Sequence, residues 1–192
     1  MLSVIIATSE SERPLVRTLA VLVPGASAGL VREVIVADGG SADGTGEVAD
    51  VAGCRLMVSD QGPGRRLKAA AAAARASWLL FLKPGTVLDA TWIDDVVRFM
   101  NDGGVGAPER AAVFRPLASA ASAHGMLTEA LLLLRAALGF RPSGAQGLLI
   151  AKQHYEGIGG HRDVADPDAD LLRRLGRRAV ITLRSGALVT ST

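Results

Sequence analysis

One apolar segment that stops at an acidic residue constrains the fold of this chain more than any other feature. Residues 33–37 are mostly apolar and partly β-branched, and Asp38 follows them directly with Gly39, Gly40 and Ser41. An α/β protein ends a buried strand and begins a ligand-binding loop in this way. We therefore predict a strand over residues 33–37 and a binding loop at its carboxyl end.

Similar apolar runs alternate with segments of helical spacing through residues 1–100. Continuous apolar runs are typical of strands that a parallel sheet buries on both faces, and the alternation favours right-handed βαβ units. The predicted strands are 2–7, 33–37, 55–58 and 78–82, and the predicted helices are 14–24, 47–51, 65–77 and 91–100. The pattern predicts an α/β fold with a doubly wound, mostly parallel sheet and helices on both faces.

The second half of the chain is patterned less regularly. The predicted elements are an edge strand over 111–115, a long helix over 122–138, a strand over 144–151, a helix over 168–175 and a last strand over 180–183. No internal repeat or shift in composition divides the chain. We predict one domain over 1–192, with a nucleotide-binding half at 1–100 and an acceptor-side half at 101–192.

Charge and cysteine content exclude several classes of protein. The 192 residues include 21 Lys and Arg against 19 Asp and Glu, a formal net charge of +2. We predict no nucleic-acid partner, since that function requires a clustered basic surface. Cys54 is the only cysteine, which excludes an internal disulfide and fits a reducing compartment. We expect Cys54 to be a small buried apolar side chain.

Two observations bear on membranes and compartment. Met1 leads directly into the first apolar run, without a basic leader before it, so we expect a cytoplasmic protein. Residues 126–138 are strongly apolar but contain Glu129 and Arg135, and they fall short of the roughly 20 residues that span a bilayer. They suit either a peripheral contact with a membrane surface or an amphipathic helix that covers the sheet.

The stretch 38–45 resembles the D-G-[GS]-[ST]-x-D-G-T loop of inverting family 2 glycosyltransferases of the GT-A fold. This resemblance implies a GT-A-like domain that transfers a sugar from a nucleoside diphosphate sugar to an acceptor with inversion. It also implies that the nucleotide lies against Thr8, Asp38, Gly39, Gly40 and Ser41. In the family, the acid at position 38 accepts a hydrogen bond from the pyrimidine base. The alternative role for Asp38 is to stabilise the turn, the role that we expect for Asp43 and Gly44.

A second motif begins the helix predicted over 65–77. Residues 64–71 resemble the G-R-x-x-Q-[ML]-N-x-G-A pattern of a cytoplasmic subgroup of these transferases, with Arg65 at the basic position. A basic side chain at a helix N-terminus can hold a diphosphate. The resemblance therefore implies that Arg65 binds the donor. Alternatively, Arg65, Arg66 and Lys68 form only a solvated face.

The metal motif of the family is degenerate in this chain. After the fourth strand, the family places D-x-D, whose carboxylates bind the Mn²⁺ or Mg²⁺ ion that the donor requires. Lys83 and Gly85 occupy the two acidic positions here, and Asp89 lies too far along the chain to replace them. Two explanations follow. Either Lys83 supplies the positive charge itself, or the site no longer turns over a nucleotide-sugar.

The family's general base is the remaining site residue. Residues 159–175 resemble its G-G-F…E-D-x-[DE]-L-x-x-R-L element, in which Asp168 matches the second acid and Pro167 replaces the first. Asp168 would thus deprotonate the acceptor. The alternative is that Asp166, Asp168 and Asp170 only cap a helix.

The histidines, one glycine-rich stretch and the degenerate motifs give three further expectations. His124, His154 and His161 lack the spacing of metal ligands, and we expect them on the surface or in loops. Residues 44–49 spell a G-x-G-x-x-A dinucleotide motif, but the first glycine does not follow the strand directly, so NAD binding is disfavoured. A degenerate transferase with a nucleotide-binding or regulatory role is the alternative function.

Overall fold

The computed structural model describes residues 1–102, 109–117 and 146–189. Eight strands run over Leu2–Thr8 (β1), Val31–Asp38 (β2), Arg55–Val58 (β3), Trp78–Leu82 (β4), Thr86–Leu88 (β5), Ala111–Pro116 (β6), Leu148–Ala151 (β7) and Val180–Val189 (β8). Six helices run over Glu12–Ser27 (α1), Thr45–Val51 (α2), Pro63–Ala73 (α3), Trp92–Asn101 (α4), Lys152–Gly157 (α5) and Pro167–Leu175 (α6).

All the described strands belong to one sheet, in the order β3-β2-β1-β4-β7-β6-β8-β5. The first half of the chain supplies a parallel block, in which β1 pairs with β2 and β4, and β2 pairs with β3. The second half is mixed: β7 runs antiparallel to β4 and β6, whereas β6 and β8 are parallel. The sheet therefore runs through both predicted halves, and its α/β architecture confirms the predicted fold class.

Alternation along β1 explains the two layers of helices. Val4 and Ile6 pack into the cluster that contains α1, whereas Ile5 faces the opposite cluster, which contains α3. Both clusters are buried, so β1 has the continuous apolar sequence of a central strand. On α3, Ala70 and Ala71 are buried against the sheet, since their small side chains permit close packing. Cys54 is half-buried beside the first cluster, and burial raises the pKa of its thiol.

Several features of the first half differ from the prediction. Helix α1 does not end at Pro24 but continues to Ser27, because the Pro24 carbonyl still accepts a hydrogen bond from the Ala28 N–H at 2.9 Å. A proline within a helix removes its own N–H and crowds the carbonyl one turn earlier, but its carbonyl still accepts, so the turn after Pro24 closes. Helix α3 ends at Ala73 rather than at residue 77. The short strand β5 was not predicted and forms one edge of the sheet.

The second half needs further corrections. Strand β6 lies between β7 and β8 and is therefore not the predicted edge strand, which explains why Ala111–Phe114 are all buried. Strand β8 extends to Val189, because its later residues pair with β5. Helix α5 was not predicted. The helix predicted over 122–138, with its possible membrane contact and His124, lies outside the described residues. Within the described ranges, no helix is long and apolar enough to cross a membrane.

Candidate active site

The candidate site is a cleft at the carboxyl ends of the parallel strands. Residues at the ends of β1 and β4 and at the starts of α3 and α6 enclose about 410 Å³, and its lining includes Ala7, Leu67, Phe81, Lys83, Pro167 and Asp168. Thr8 and Asp38 are paired in register at the ends of β1 and β2. Ligands of open α/β sheets bind at this edge. The fold thus brings predicted site residues from both halves of the chain to the same edge of the sheet, at the carboxyl ends of its parallel strands.

Asp38 is buried and organises the loop that follows β2. Its Oδ1 accepts hydrogen bonds from the hydroxyls of Thr8 at 2.7 Å and Ser41 at 2.6 Å. Its Oδ2 accepts from the N–H groups of Gly40 at 2.8 Å and Ser41 at 2.7 Å. Burial alone would raise the pKa of Asp38, but these hydrogen bonds outweigh it and lower the pKa.

These four bonds occupy about all the lone pairs of the Asp38 carboxylate. The structure therefore displays the alternative role of Asp38, which is to shape the turn. Its contact with a base stays a prediction, and it would require one of the four donors to give way. Asp43 stabilises the same region as expected, accepting from the N–H groups of Glu12 and Thr45, both at 3.0 Å.

The two neighbouring arginines of α3 have different roles. Arg66 is buried, and its Nη1 donates to the carbonyls of Thr8 at 2.6 Å and Ala37 at 3.1 Å. A Cβ added at Gly39 would lie 2.7 Å from the same Nη1, so a side chain there would displace the Arg66 guanidinium. The alternative that Arg66 belongs to a solvated face is therefore wrong. Its guanidinium is buried and connects the ends of β1 and β2. Sequence motifs missed this residue, since carbonyl partners on other strands leave no local pattern.

Arg65 lies at the surface. Its side chain is 63% exposed, and its Nε lies 3.2 Å from Asp163 Oδ2. An exposed pair of this kind is worth little to stability, so Arg65 can exchange its partner readily. Binding of a diphosphate by Arg65 stays a prediction.

Lys83 and Asp168 meet across the cleft. Lys83 belongs to the turn after β4, and its Nζ lies 3.3 Å from Asp168 Oδ2, on the first turn of α6. The side chain of Lys83 is 45% exposed and that of Asp168 only 16%. The structure therefore brings together the residue at the family's metal position and the predicted base.

Asp168 is not the cap of its helix. Asp166 caps α6, because its Oδ1 accepts from the Ala169 N–H at 3.0 Å. Asp168 instead lies 3.2 Å, through Oδ1, from Nε2 of His161. Burial would raise the pKa of Asp168, but the hydrogen bond to His161 and the charge and hydrogen bond of Lys83 lower it. Asp168 is consequently ionised at neutral pH.

His161 lies in a loop, as predicted, but not at the surface, because its ring is buried. His161 Nδ1 lies 3.0 Å from Tyr155 Oη, and the His161 backbone N–H donates to the same hydroxyl at 3.0 Å. The Phe81 ring packs edge-on against the imidazole at 4.7 Å. His161 replaces the phenylalanine of the family's G-G-F motif, and that position was the signal that an aromatic ring is buried here.

The loop that carries His161 is fixed to α6 by Arg174. The guanidinium donates to the carbonyls of Ile158 at 2.7 Å and Gly160 at 2.6 Å, and its Nε donates to Asp170 Oδ2 at 2.8 Å. Asp170 therefore orients Arg174 rather than capping the helix. At Gly160, where φ is +65°, a Cβ would lie 2.9 Å from the Tyr155 ring. Only glycine suits both this backbone and this close approach.

The residues at the family's metal position do not fit a divalent cation. Lys83 presents an ammonium group, and Gly85 has φ of +85°, a backbone conformation that an aspartate adopts only with strain. Asp89 is engaged elsewhere: it accepts from Thr91 and from the Gly186 N–H, and these bonds overcome burial and lower its pKa. Across residues 1–102, 109–117 and 146–189, no group of three or more His, Cys, Asp or Glu could hold a metal ion.

A doubly wound sheet with a glycine-rich loop and a basic helix start at its carboxyl edge defines a nucleotide-binding α/β domain of the GT-A type. The model of the glycosyl transferase family 2 matches residues 3–131. The chain therefore belongs to glycosyltransferase family 2, which confirms the family predicted from the motifs. No curated protein sequence matches it significantly.

Solved structures agree on the fold. Glucosyl-3-phosphoglycerate synthase from Mycobacterium tuberculosis, in complex with phosphoglyceric acid, superposes with a TM-score of 0.69 at 20% identity, over 100% of this chain and 72% of that one. The same enzyme with Mn²⁺, UDP-glucose and phosphoglyceric acid gives a TM-score of 0.68 at 19% identity, over 95% and 68%. A mycobacterial protein of solved structure gives a TM-score of 0.66 at 21% identity, over 98% of this chain and 65% of that one. These similarities establish the GT-A fold.

Proposed function

We propose that this protein transfers a sugar from a nucleoside diphosphate sugar to an acceptor hydroxyl, with inversion, and that Lys83 supplies the charge that a metal ion supplies elsewhere in the family. The observation that carries the proposal is the Lys83–Asp168 pair in the cleft, 3.3 Å between Nζ and Oδ2. The crystallised synthase with this fold binds UDP-glucose and Mn²⁺, which supports a nucleotide-sugar as the ligand.

In this proposal the nucleotide lies on the loop that Asp38 organises, near Thr8, Gly39, Gly40 and Ser41. Its diphosphate reaches Lys83, with Arg65 at the rim of the cleft. Ammonium groups bind phosphate as point charges, so Lys83 leaves Asp168 Oδ2 when the diphosphate arrives. Charge that develops on the leaving diphosphate is then stabilised by a group already in place.

Departure of Lys83 leaves Asp168 Oδ2 free to accept a proton. The acceptor hydroxyl gives its proton to Oδ2 while its oxygen forms a bond to the anomeric carbon, from the face opposite the diphosphate. The bond between that carbon and the diphosphate breaks, and the electron pair leaves with the nucleoside diphosphate. One displacement of this kind inverts the anomeric configuration. Because the pKa of Asp168 is lowered, the base is ionised before the acceptor binds.

The second candidate function is nucleotide binding without turnover. Two observations favour it. Lys83 stands where the metal motif has its first acid, and Gly85, where the motif has its second acid, has φ of +85°. A regulatory or binding protein would keep the loop of Asp38 and lose the chemistry. The cytoplasm remains the proposed compartment for either function, supported by the lone cysteine.

Calorimetry separates the two functions. The intact protein is titrated with UDP, GDP, CDP, TDP and ADP, with Mn²⁺ or with EDTA, and release of nucleoside diphosphate from the matching sugars is measured in parallel. Binding that EDTA leaves unchanged, together with turnover, supports the lysine-assisted transferase. Binding without turnover of any donor supports the second function. If no nucleotide binds, both are wrong.

Lys83→Ala provides the specific test, and Lys68→Ala is its matched control, since Lys68 is exposed on α3. Loss of nucleotide affinity in the first variant only assigns the charge to Lys83. Equal affinities in both variants would contradict that assignment.

A further inference from the structure

A buried row of hydrogen-bonding groups leads away from the cleft behind Asp168. Tyr155 Oη lies 3.0 Å from His161 Nδ1, and His161 Nε2 lies 3.2 Å from Asp168 Oδ1. The side chains of Tyr155 and His161 are buried almost completely, at 2% and 1% residue exposure. Neither ring reaches the solvent, so neither can itself bind an acceptor. Their arrangement acts on substrate only through Asp168.

The protons in this row can be placed from its geometry. The Tyr155 hydroxyl accepts the backbone N–H of His161 at 3.0 Å, and it has a single proton of its own to donate. Burial raises the pKa of Tyr155 to about 12, so that proton is present at neutral pH. The acceptor within reach is His161 Nδ1. A neutral imidazole that accepts at Nδ1 carries its proton on Nε2, which faces the carboxylate.

The opposite tautomer fits poorly. With the proton on Nδ1, Tyr155 Oη would accept two hydrogen bonds, and its own buried proton would lose Nδ1 as its acceptor. The lone pair of Nε2 would then face the ionised Asp168 Oδ1 at 3.2 Å. Unpaired buried polar groups are costly, so of the two neutral tautomers the described contacts select Nε2–H.

We propose that Tyr155 and His161 are positioning residues for Asp168: Tyr155 fixes the tautomer of His161, and His161 donates to Oδ1 so that Oδ2 alone faces Lys83 and the cleft. The role of Asp168 as the base rests on the proposed function, whereas the tautomer and the hold on Oδ1 do not. The proposal assigns functions to two buried residues that the sequence analysis left without a role in the site.

The surroundings make this hold rigid. The Phe81 ring packs against both rings, and its centroid lies 4.7 Å from the centroid of the His161 ring and 5.1 Å from that of the Tyr155 ring. Arg174 fixes the carbonyls on the N-terminal side of His161. Among the described residues, the charged or titratable groups that lower the pKa of Asp168 are His161 and Lys83, and the charge of Arg174 lowers the pKa of Tyr155. A rigid donor on one oxygen restricts rotation of the carboxylate, which is what a base aimed at one hydroxyl requires.

The first test reads the tautomer directly and needs no substrate. Long-range ¹H–¹⁵N correlation spectra of protein labelled with ¹⁵N-histidine distinguish protonated from unprotonated ring nitrogens, and His161→Phe identifies the signals of His161. We expect wild-type His161 to be protonated at Nε2, and Tyr155→Phe to convert it to a mixture of tautomers. His154→Gln is the control, and it should leave the His161 signals in place. A wild-type proton on Nδ1, or an unchanged tautomer in Tyr155→Phe, would overturn the proposal.

The second test measures the hold on Asp168. Carbon-13 spectra of labelled aspartates follow the carboxyl titration of Asp168, which Asp168→Asn identifies. His161→Phe keeps a ring beside Phe81 but removes the donor, so the pKa of Asp168 should rise. His161→Gln should restore part of the shift, since its amide N–H₂ can donate. An unchanged titration in the folded His161→Phe variant would show that His161 only fills space.

Kinetics then connect the hold to catalysis. If the protein turns over a donor, His161→Phe should lower kcat about tenfold or more, since a well-placed general base contributes roughly 100-fold or more, and it should leave the KM for the donor unchanged. The acidic limb of its pH profile should move to higher pH. A rise in donor KM at constant kcat would contradict a positioning role. Absence of all turnover would refute the proposed function alone, because both spectroscopic outcomes remain decisive.

Discussion

Lys83 and Asp168 form an ion pair across the cleft, with 3.3 Å between Nζ and Oδ2. The pair connects the turn after β4 to the first turn of α6, two segments that lie far apart in the sequence. Asp168 also bonds to the buried His161 through its other oxygen. A change at either partner therefore alters the carboxylate that both of them share.

Removal of the Lys83 charge should weaken nucleotide binding. Lys83→Ala is expected to cost about 1 to 2 kcal/mol in affinity for a nucleoside diphosphate. This is the value of one charged hydrogen bond, lowered because the Lys83 side chain is partly exposed to solvent. Wild-type affinity should fall as salt rises and should not respond to chelators. Calorimetry at two salt concentrations measures both effects. An affinity that EDTA abolishes would show that a metal ion supplies the charge after all.

Asp38→Ala should affect stability as well as binding. The substitution leaves the N–H groups of Gly40 and Ser41 and the Thr8 hydroxyl without their acceptor. We expect a loss of about 1 to 3 kcal/mol in nucleotide affinity, and a comparable loss in the free energy of unfolding. Urea titrations measure the second quantity. Stability that falls while affinity is kept would assign Asp38 to the turn alone.

The folded protein should lose stability in acid. The pKa values of Asp38 and Asp168 are lowered in the folded state, so each stabilises the fold above its unfolded pKa. That contribution disappears as the pH falls from about 4 through the folded pKa. Asp38→Asn should flatten the dependence of the unfolding free energy on pH in this window. A wild-type stability that is constant from pH 5 to pH 2 would contradict this prediction.

Adjacent glycines offer a matched pair of variants. Gly159 and Gly160 have φ of +84° and +65°, but an added Cβ meets the Tyr155 ring only at Gly160. Gly159→Ala should therefore cost about 1 kcal/mol, the strain of the backbone. Gly160→Ala should cost more and should displace Tyr155 from His161. Thermal unfolding and the His161 spectra compare the two. Equal costs with unchanged spectra would show that Tyr155 moves aside freely.

Restoration of both acids tests whether metal dependence can return. Lys83→Asp with Gly85→Asp recreates D-x-D, and it should create dependence on Mn²⁺ if the turn keeps its geometry. Because Gly85 has φ of +85°, we expect the double variant to be about 1 to 2 kcal/mol less stable than Lys83→Asp alone. Unfolding with and without Mn²⁺ measures both effects. Crystals soaked in Mn²⁺ and a nucleoside diphosphate would reveal the ligands, and a metal bound by Asp89 would show that the ligand set had moved.

The parallel block of the sheet was predictable because its strands are buried on both faces and read as continuous apolar runs, as in β1 and β4. The motifs also placed Lys83 and Asp168 at the same edge. The end of α1 was not predictable, since the effect of Pro24 depends on its place within the last turn. Nor was the inner position of β6, because a short apolar strand looks the same between two neighbours as at an edge.

The site residues that sequence reasoning missed make contacts that no sequence motif records. Arg66 donates to carbonyls on β1 and β2, and carbonyls have no sequence signature. His161 was judged by its spacing to other histidines, whereas its partners are a tyrosine and a carboxylate. A search for polar residues at positions where the family has an apolar ring would have found it.

The turn at Gly85 has an evolutionary consequence. At the first of the family's two ligand positions, substitution at one codon is enough to replace the lysine with a carboxylate. The second position also requires a different backbone, because its φ of +85° disfavours every residue with a side chain. A metal site therefore needs coordinated changes in a turn in which the Gly85 N–H donates to the carbonyl of Pro14 in α1. Selection acting on one substitution at a time would tend to refine the lysine site rather than rebuild the metal site.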